Sequence, residues 1–164
     1  MRNIVIATAA LGLLDGCHHG HHKHHADTAN VAAAVKADAA QLVADFNAHD
    51  AVKSASHDAP DYVGMFHGMA NVVGPAADLA LTKVQVADPL AKVTVSGETV
   101  DVAASGDMAV WRATYAYNFT DLKAKAPATE HGNWLLGYKA QPDGSWKLTW
   151  GVVSDTPRVA TPAT

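Results

Sequence analysis

The chain holds a single cysteine, Cys17, so no intramolecular disulfide and no thiolate metal cluster can form, and the fold must rely on packing. Basic excess is absent too: the formal net charge is −4, which argues against nucleic acid as a partner. Only 17% of residues are charged while 49% are hydrophobic, a balance that excludes disordered and fibrous classes. The 164 residues suffice for one domain with a real core. The uncharged N-terminal stretch from Ile4 to Leu14 is about half the roughly 20 residues a spanning helix needs. There is no internal repeat, no glycine-rich phosphate loop and no serine in a nucleophile elbow.

What is present begins with a targeting pattern. Arg2 gives a positive start, the apolar stretch follows, and Leu14-Asp15-Gly16-Cys17 comes next. This resembles a bacterial lipobox at Leu14, Gly16 and Cys17, while Asp15 departs from the usual small or apolar residue. No Ala-x-Ala cleavage site ends the apolar run. Residues 1–17 are therefore expected to be an export signal with a lipobox-like end. Lipidation at Cys17 would hold the protein on a membrane of the cell envelope, facing the periplasm or the cell exterior. His18, His19, His21, His22, His24 and His25 follow at once. Imidazoles bind zinc, nickel or copper, but a tract without fixed geometry selects poorly among them. Residues 18–27 thus read as a polar tether with metal binding as an incidental capacity.

Val31, Val35, Ala39, Leu42 and Phe46 step by three or four, predicting an amphipathic helix between Asp27 and Asp50. A short helix is expected from Asp50 as cap to His57, stopped by Pro60. Tyr62 to His67 reads as a strand, and Gly74-Pro75 opens a third helix ending before Asp88-Pro89. Sheet follows. Val93 and Val95 alternate, Ser96-Gly97 interrupts, and Val100 and Val102 resume. Ala109, Trp111, Ala113, Tyr115, Tyr117 and Phe119 give the next strand one apolar face. A loop is expected from Asp121 to Thr129, then strands from Trp134 to Lys139 and from Trp146 to Val153, with residues 156–164 as a flexible tail.

Helices gathered on one face of long antiparallel strands make an α+β domain. The order resembles the SnoaL-like and ketosteroid-isomerase-like group of the nuclear-transport-factor-2-like superfamily. The residues that carry the likeness are Asn47-Ala48-His49-Asp50, Val72-Val73-Gly74, Ser105-Gly106-Asp107-Met108-Ala109, Thr114-Tyr115 and Asp143-Gly144-Ser145-Trp146-Lys147. Their order and spacing over residues 28–155 persuade, since no single motif is specific. The resemblance implies a conical domain: a strongly curved antiparallel sheet, three helices covering one face, and a pocket between them. Many members form dimers through the sheet, so a homodimer is a further expectation.

A bent sheet covered on one side leaves space, and Tyr62, Phe66, His67, Trp111, Tyr115, Trp134 and Trp150 are the candidate lining. Steroid isomerisation would need a carboxylate base, a tyrosine and a protonated acid. Aligned on Gly68, Gly74 and the Asn47–Asp50 stretch, those roles fall at Met65, Leu42 and Leu136, all apolar. No carboxylate stands between Val63 and Asn71, which argues against that activity. His67 is expected at a strand end by the pocket rim, Arg112 on a solvated face, and His49 and His57 on the surface. The expected function is binding of a small apolar or amphipathic molecule, with no cofactor. An isomerase- or cyclase-like enzyme using His67 or Arg112 is the alternative, and polar groups converging inside the pocket would favour it. A dimeric interaction module is the third reading.

Overall fold

The computed structural model describes residues 27–156. Cys17, the six histidines from His18 to His25, and the tail beyond Thr156 lie outside the described residues. Three helices and six strands run in the order α1 (Thr28–Asn47), α2 (Ala51–Ala55), β1 (Asp58–Phe66), β2 (Val72–Val73), α3 (Pro75–Val86), β3 (Lys92–Val102), β4 (Met108–Asp121), β5 (Ala126–Ala140) and β6 (Trp146–Asp155).

Local chemistry explains the helix starts. The Asp27 carboxylate accepts from the Asn30 amide at 3.1 Å, and Asp50 does the same for Lys53 at 3.0 Å. Gly74 enters α3 at φ 82°, a conformation that disfavours any Cβ, and Pro75 takes the first turn. The α1 stripe buries Val35, Ala39 and Leu42 on the sheet, where they meet Trp111, Leu136, Tyr138 and Leu148. Each such large side chain contributes about 1.5–3 kcal/mol by leaving water. Trp111 is fully buried, and its indole N–H donates to Glu98 Oε2 at 3.1 Å, so its polar edge is satisfied. At the end of α1, the Asn47 side-chain amide pairs with both backbone groups of Val93 at 2.8 Å, pinning the helix to edge strand β3.

The six strands form one sheet in the order β2-β1-β6-β5-β4-β3. The strands after α3 pair antiparallel as expected, but β1 lies parallel to β6, so the sheet is mixed. Three expectations about boundaries are corrected. Pro60 lies inside β1, which starts at Asp58; the partner β2 reaches only Val63 and Gly64, so the missing N–H at Pro60 leaves no ladder bond unmade. The expected interruption at Ser96-Gly97 is a bulge within one strand, with Gly97 at φ 66°. The loop from Asp121 to Thr129 shrinks to a turn, because β5 already begins at Ala126. Pro127 is tolerated there because β6 pairs only from Gly132 onward, leaving this part of β5 with one neighbour.

Bulges also lie in β1 and between β5 and β6, and a bulged strand bends. The bent sheet curls without closing, and the helices cover its concave side. Among the described residues no helix is long and apolar enough to cross a membrane.

Candidate functional site

Between the helices and the concave face lies a cavity of about 230 Å³, smaller than the common range for drug-sized ligands. Sheet alternation supplies one wall: Tyr62 and Phe66 from β1, Tyr115 and Tyr117 from β4, Trp134 and Leu136 from β5. Leu42 and Phe46 of α1 close it from above, with Phe46 set edge-on to Tyr117 at a centroid distance of 6.0 Å.

Five sequence-predicted lining residues, Tyr62, Phe66, His67, Tyr115 and Trp134, do line this cavity. Trp111 and Trp150 do not. Trp111 is sealed in the core, edge-on to Trp134 at 5.6 Å. Trp150 pairs with Gly137, whereas Leu148, two residues earlier, pairs with Tyr138 on the cavity side. The extra residue, Thr149, flips the alternation and turns Trp150 to the convex face. Arg112 is also on the convex face, where it bonds Thr99 and sits 3.4 Å from Asp101, so it does not serve the cavity.

At the mouth, His67 follows the last residue of β1, and its Nε2 lies 3.1 Å from Glu130 Oε1. The same glutamate oxygen accepts from the Tyr115 hydroxyl, and Asp155 stands 4.0 Å from His67 Nδ1. Burial, then the bond to Glu130, pushes the Tyr115 phenol up. Asp61, six residues earlier on β1, is exposed and does not line the cavity. Of the positions aligned with the steroid-isomerase roles, Leu42 and Leu136 line the cavity, and Met65 alternates to the opposite face from Gly64 and Phe66.

The inner end carries two carboxyls that sequence reasoning passed over. Asp58 comes from the start of β1 and Asp78 from the first turn of α3. The Asp58 Oδ2 atom is enclosed and has no donor among the described residues. The group within hydrogen-bonding reach of Asp58 is the Asp78 carboxyl, so a bond forms there only when one of them holds a proton. Burial, then the Asp78 charge, pushes the Asp58 carboxyl up to about 8, against weaker opposition from His57 and Lys147. Burial raises Asp78 as well, partly offset by bonds from Thr82 and Asp58. The two carboxyls therefore hold on to a proton as a coupled pair, near the N-terminal end of α3, which favours the remaining negative charge. No period within β1 points to Asp58, because the register shifts between Asp58 and Val63 and Pro60 reads as a strand breaker.

Behind this end sits His57, which is buried and not on the surface as expected. Its Nδ1 is 2.9 Å from Asp38 Oδ1 and its Nε2 is 3.2 Å from Asp45 Oδ2. Burial opposes a charge on the ring, but the bonds to the two carboxylates outweigh it and raise the imidazole above its usual range. Asp38 and Asp45 are seven apart on α1 and so share a face. His49 is exposed, as expected, and bonds the Val86 carbonyl at 2.7 Å. Among the described residues no group of three metal-ligating side chains converges as an ion site.

A curled mixed sheet with helices on its concave side and a cavity beneath them is the cone fold of the nuclear-transport-factor-2-like proteins, and this chain has it. Solved structures agree. The chain superposes on an NTF2-like protein with a cystatin-like fold from Novosphingobium aromaticivorans at TM-score 0.64 and 18% identity, covering 78% of this chain and 83% of that one. A ketosteroid isomerase-like protein from Erwinia carotovora atroseptica gives TM-score 0.64 and 18% identity over 76% and 96% of the two chains. An NTF2-like superfamily protein from Salmonella enterica gives 0.67 and 10% over 84% and 99%. No protein-family model and no curated protein matches the sequence.

Proposed function

We propose that this domain binds a small, largely apolar molecule in its cone cavity while Cys17 tethers the chain at the cell envelope. One observation carries the binding reading: the chain's own side chains leave an aromatic-walled cavity of about 230 Å³ unfilled. Empty apolar space is costly to a fold, and a ligand that fills it gains about 25 cal/mol per Å² of apolar surface removed from water. The tether rests on the sequence alone, through Leu14, Gly16 and Cys17.

Native mass spectrometry of the full chain, purified from its own envelope, tests both parts. Expected are acyl mass on Cys17 and a second, dissociable mass that disappears in a Val153→Trp variant, whose indole occupies the cavity. A chain that carries no dissociable mass overturns the binding reading.

A second reading, proton transfer on a bound molecule, is favoured by polar groups at both ends of the cavity: His67 with Glu130 at the mouth, Asp58 with Asp78 inside. Its readout is exchange of the α-hydrogens of cyclohexanone in deuterated buffer, followed by proton NMR. Exchange above the buffer rate that is lost in His67→Gln supports it; exchange at the buffer rate rejects it.

A further inference from the structure

The cavity's charge is one-sided. Asp58, Asp78 and Glu130 line it together with His67, and among the described residues neither lysine nor arginine does. The cations nearest to Asp58 are already engaged. His57 spends both ring nitrogens on Asp38 and Asp45, and Lys147 Nζ donates to the Ser56 carbonyl at 2.6 Å. Thr82 offers Asp78 one long bond, 3.4 Å. What remains is a carboxyl pair lining a cavity whose other walls are mostly aromatic and aliphatic.

We infer that the cavity takes a protonated amine on a small apolar body, the ammonium lying between Asp58 and Asp78 and the body against the aromatic wall. This rests on the binding reading above and adds the chemical class of the ligand. A buried carboxyl pair is tolerable only when something positive stands between its two groups. Without a ligand that is a shared proton; an ammonium replaces it and brings three N–H donors for the carboxyl oxygens that line the cavity. Tyr62, Tyr115 and Trp134 line the cavity and take the apolar body. An anion of the same shape meets three carboxyls, and the imidazole at the mouth, His67, already stands against Glu130, so an anion is disfavoured.

Exchange of proton for ammonium makes binding depend on pH. The groups facing Asp58 are Asp78 on α3, His57 and Tyr62 flanking it on the β1 side, Lys147 on β6, and Tyr138 on β5 with Asp38 of α1 behind it. The Asp58 carboxyl gives up its proton only around pH 8. An aliphatic amine is still charged there, so its affinity rises between about pH 6 and about pH 8.5.

The test is titration of the full chain, read by tryptophan fluorescence from the lining Trp134, with 2-phenylethylamine, 2-phenylethanol and phenylacetate. At about pH 8.5 the amine is expected to bind at least about tenfold more tightly than the alcohol, with phenylacetate weakest. Asp58→Asn and Asp78→Asn should each bring the amine down to the alcohol's affinity, with circular dichroism and thermal melts showing that the variants fold. An alcohol that binds as well as the amine, or variants that keep the amine's advantage, overturns the inference and leaves the binding reading standing. Failure of all three probes to bind overturns both.

Discussion

Asp58 and Asp78 meet at the inner end of the cavity, one from the first residue of β1 and the other from the first turn of α3. Burial and mutual repulsion keep a proton on Asp58 up to about pH 8, whereas an ordinary aspartate loses it near 3.8. Between those values the folded chain binds more protons than the unfolded one, so this group's contribution to stability falls as pH rises.

Asp58→Asn removes that slope. The variant is expected to be more stable than the parent at about pH 8, by about 2 kcal/mol after discounting for the carboxyl's remaining solvent contact, and to show a flatter profile of Tm against pH. Parallel profiles for the two proteins would rule out a raised Asp58.

His57 contributes a slope of the same sign by a different route. Its pKa is raised in the fold, so its contribution is full below its unfolded value of 6.5 and is lost as pH climbs through the higher folded value. His57→Leu strands the Asp38 and Asp45 carboxylates against the sheet and should cost about 3 kcal/mol at about pH 6. Thermal melts should then drop by about 10 °C. The loss should shrink as pH rises through the raised imidazole pKa, where the parent ring becomes neutral too.

Two glycines of β5 should respond differently to alanine. A Cβ at Gly137 would stand 2.0 Å from the Trp150 indole, and one at Gly132 would stand 1.8 Å from the Ser154 carbonyl oxygen. Each Gly→Ala change should destabilise the fold by about 2 kcal/mol or more. Adding Trp150→Ala should recover much of the loss at Gly137, because the obstacle there is a side chain. No side-chain change should rescue Gly132→Ala, whose obstacle is backbone. Urea denaturation of the single and double variants separates the two cases, and equal rescue at both sites would contradict the packing described.

The proposed anchor is checked by Cys17→Ser, which should move the chain from the membrane fraction to the soluble envelope fraction. Deleting residues 18–25 should leave membrane attachment and Tm unchanged if the histidines act as a tether. A Cys17→Ser chain that stays with the membrane rejects lipidation there.

Much of this architecture was legible in the sequence because its signals are local. Asp27, Asp50 and Gly74-Pro75 announce the helix starts through single hydrogen bonds or a fixed φ, and the α1 stripe and the odd-numbered face of β4 follow from helix and strand periods. Those periods group Tyr62 with Phe66 and Tyr115 with Tyr117 on shared faces, and the curl of the sheet decides that these faces line the cavity. Tertiary structure decided the rest. One residue, Thr149, interrupts the alternation between Leu148 and Trp150, and a bulge is set by pairing with β5, so no period within β6 reveals it. His57 looked like a surface residue beside a short helix because its partners, Asp38 and Asp45, lie on another element and only packing brings them to its ring. The Asp58–Asp78 pair, twenty residues apart in the chain, has the same origin. Single residues carry enough information to set where a helix or strand begins. The acidity of a carboxyl depends on what burial and charge the fold puts beside it, and that is fixed only when distant segments meet.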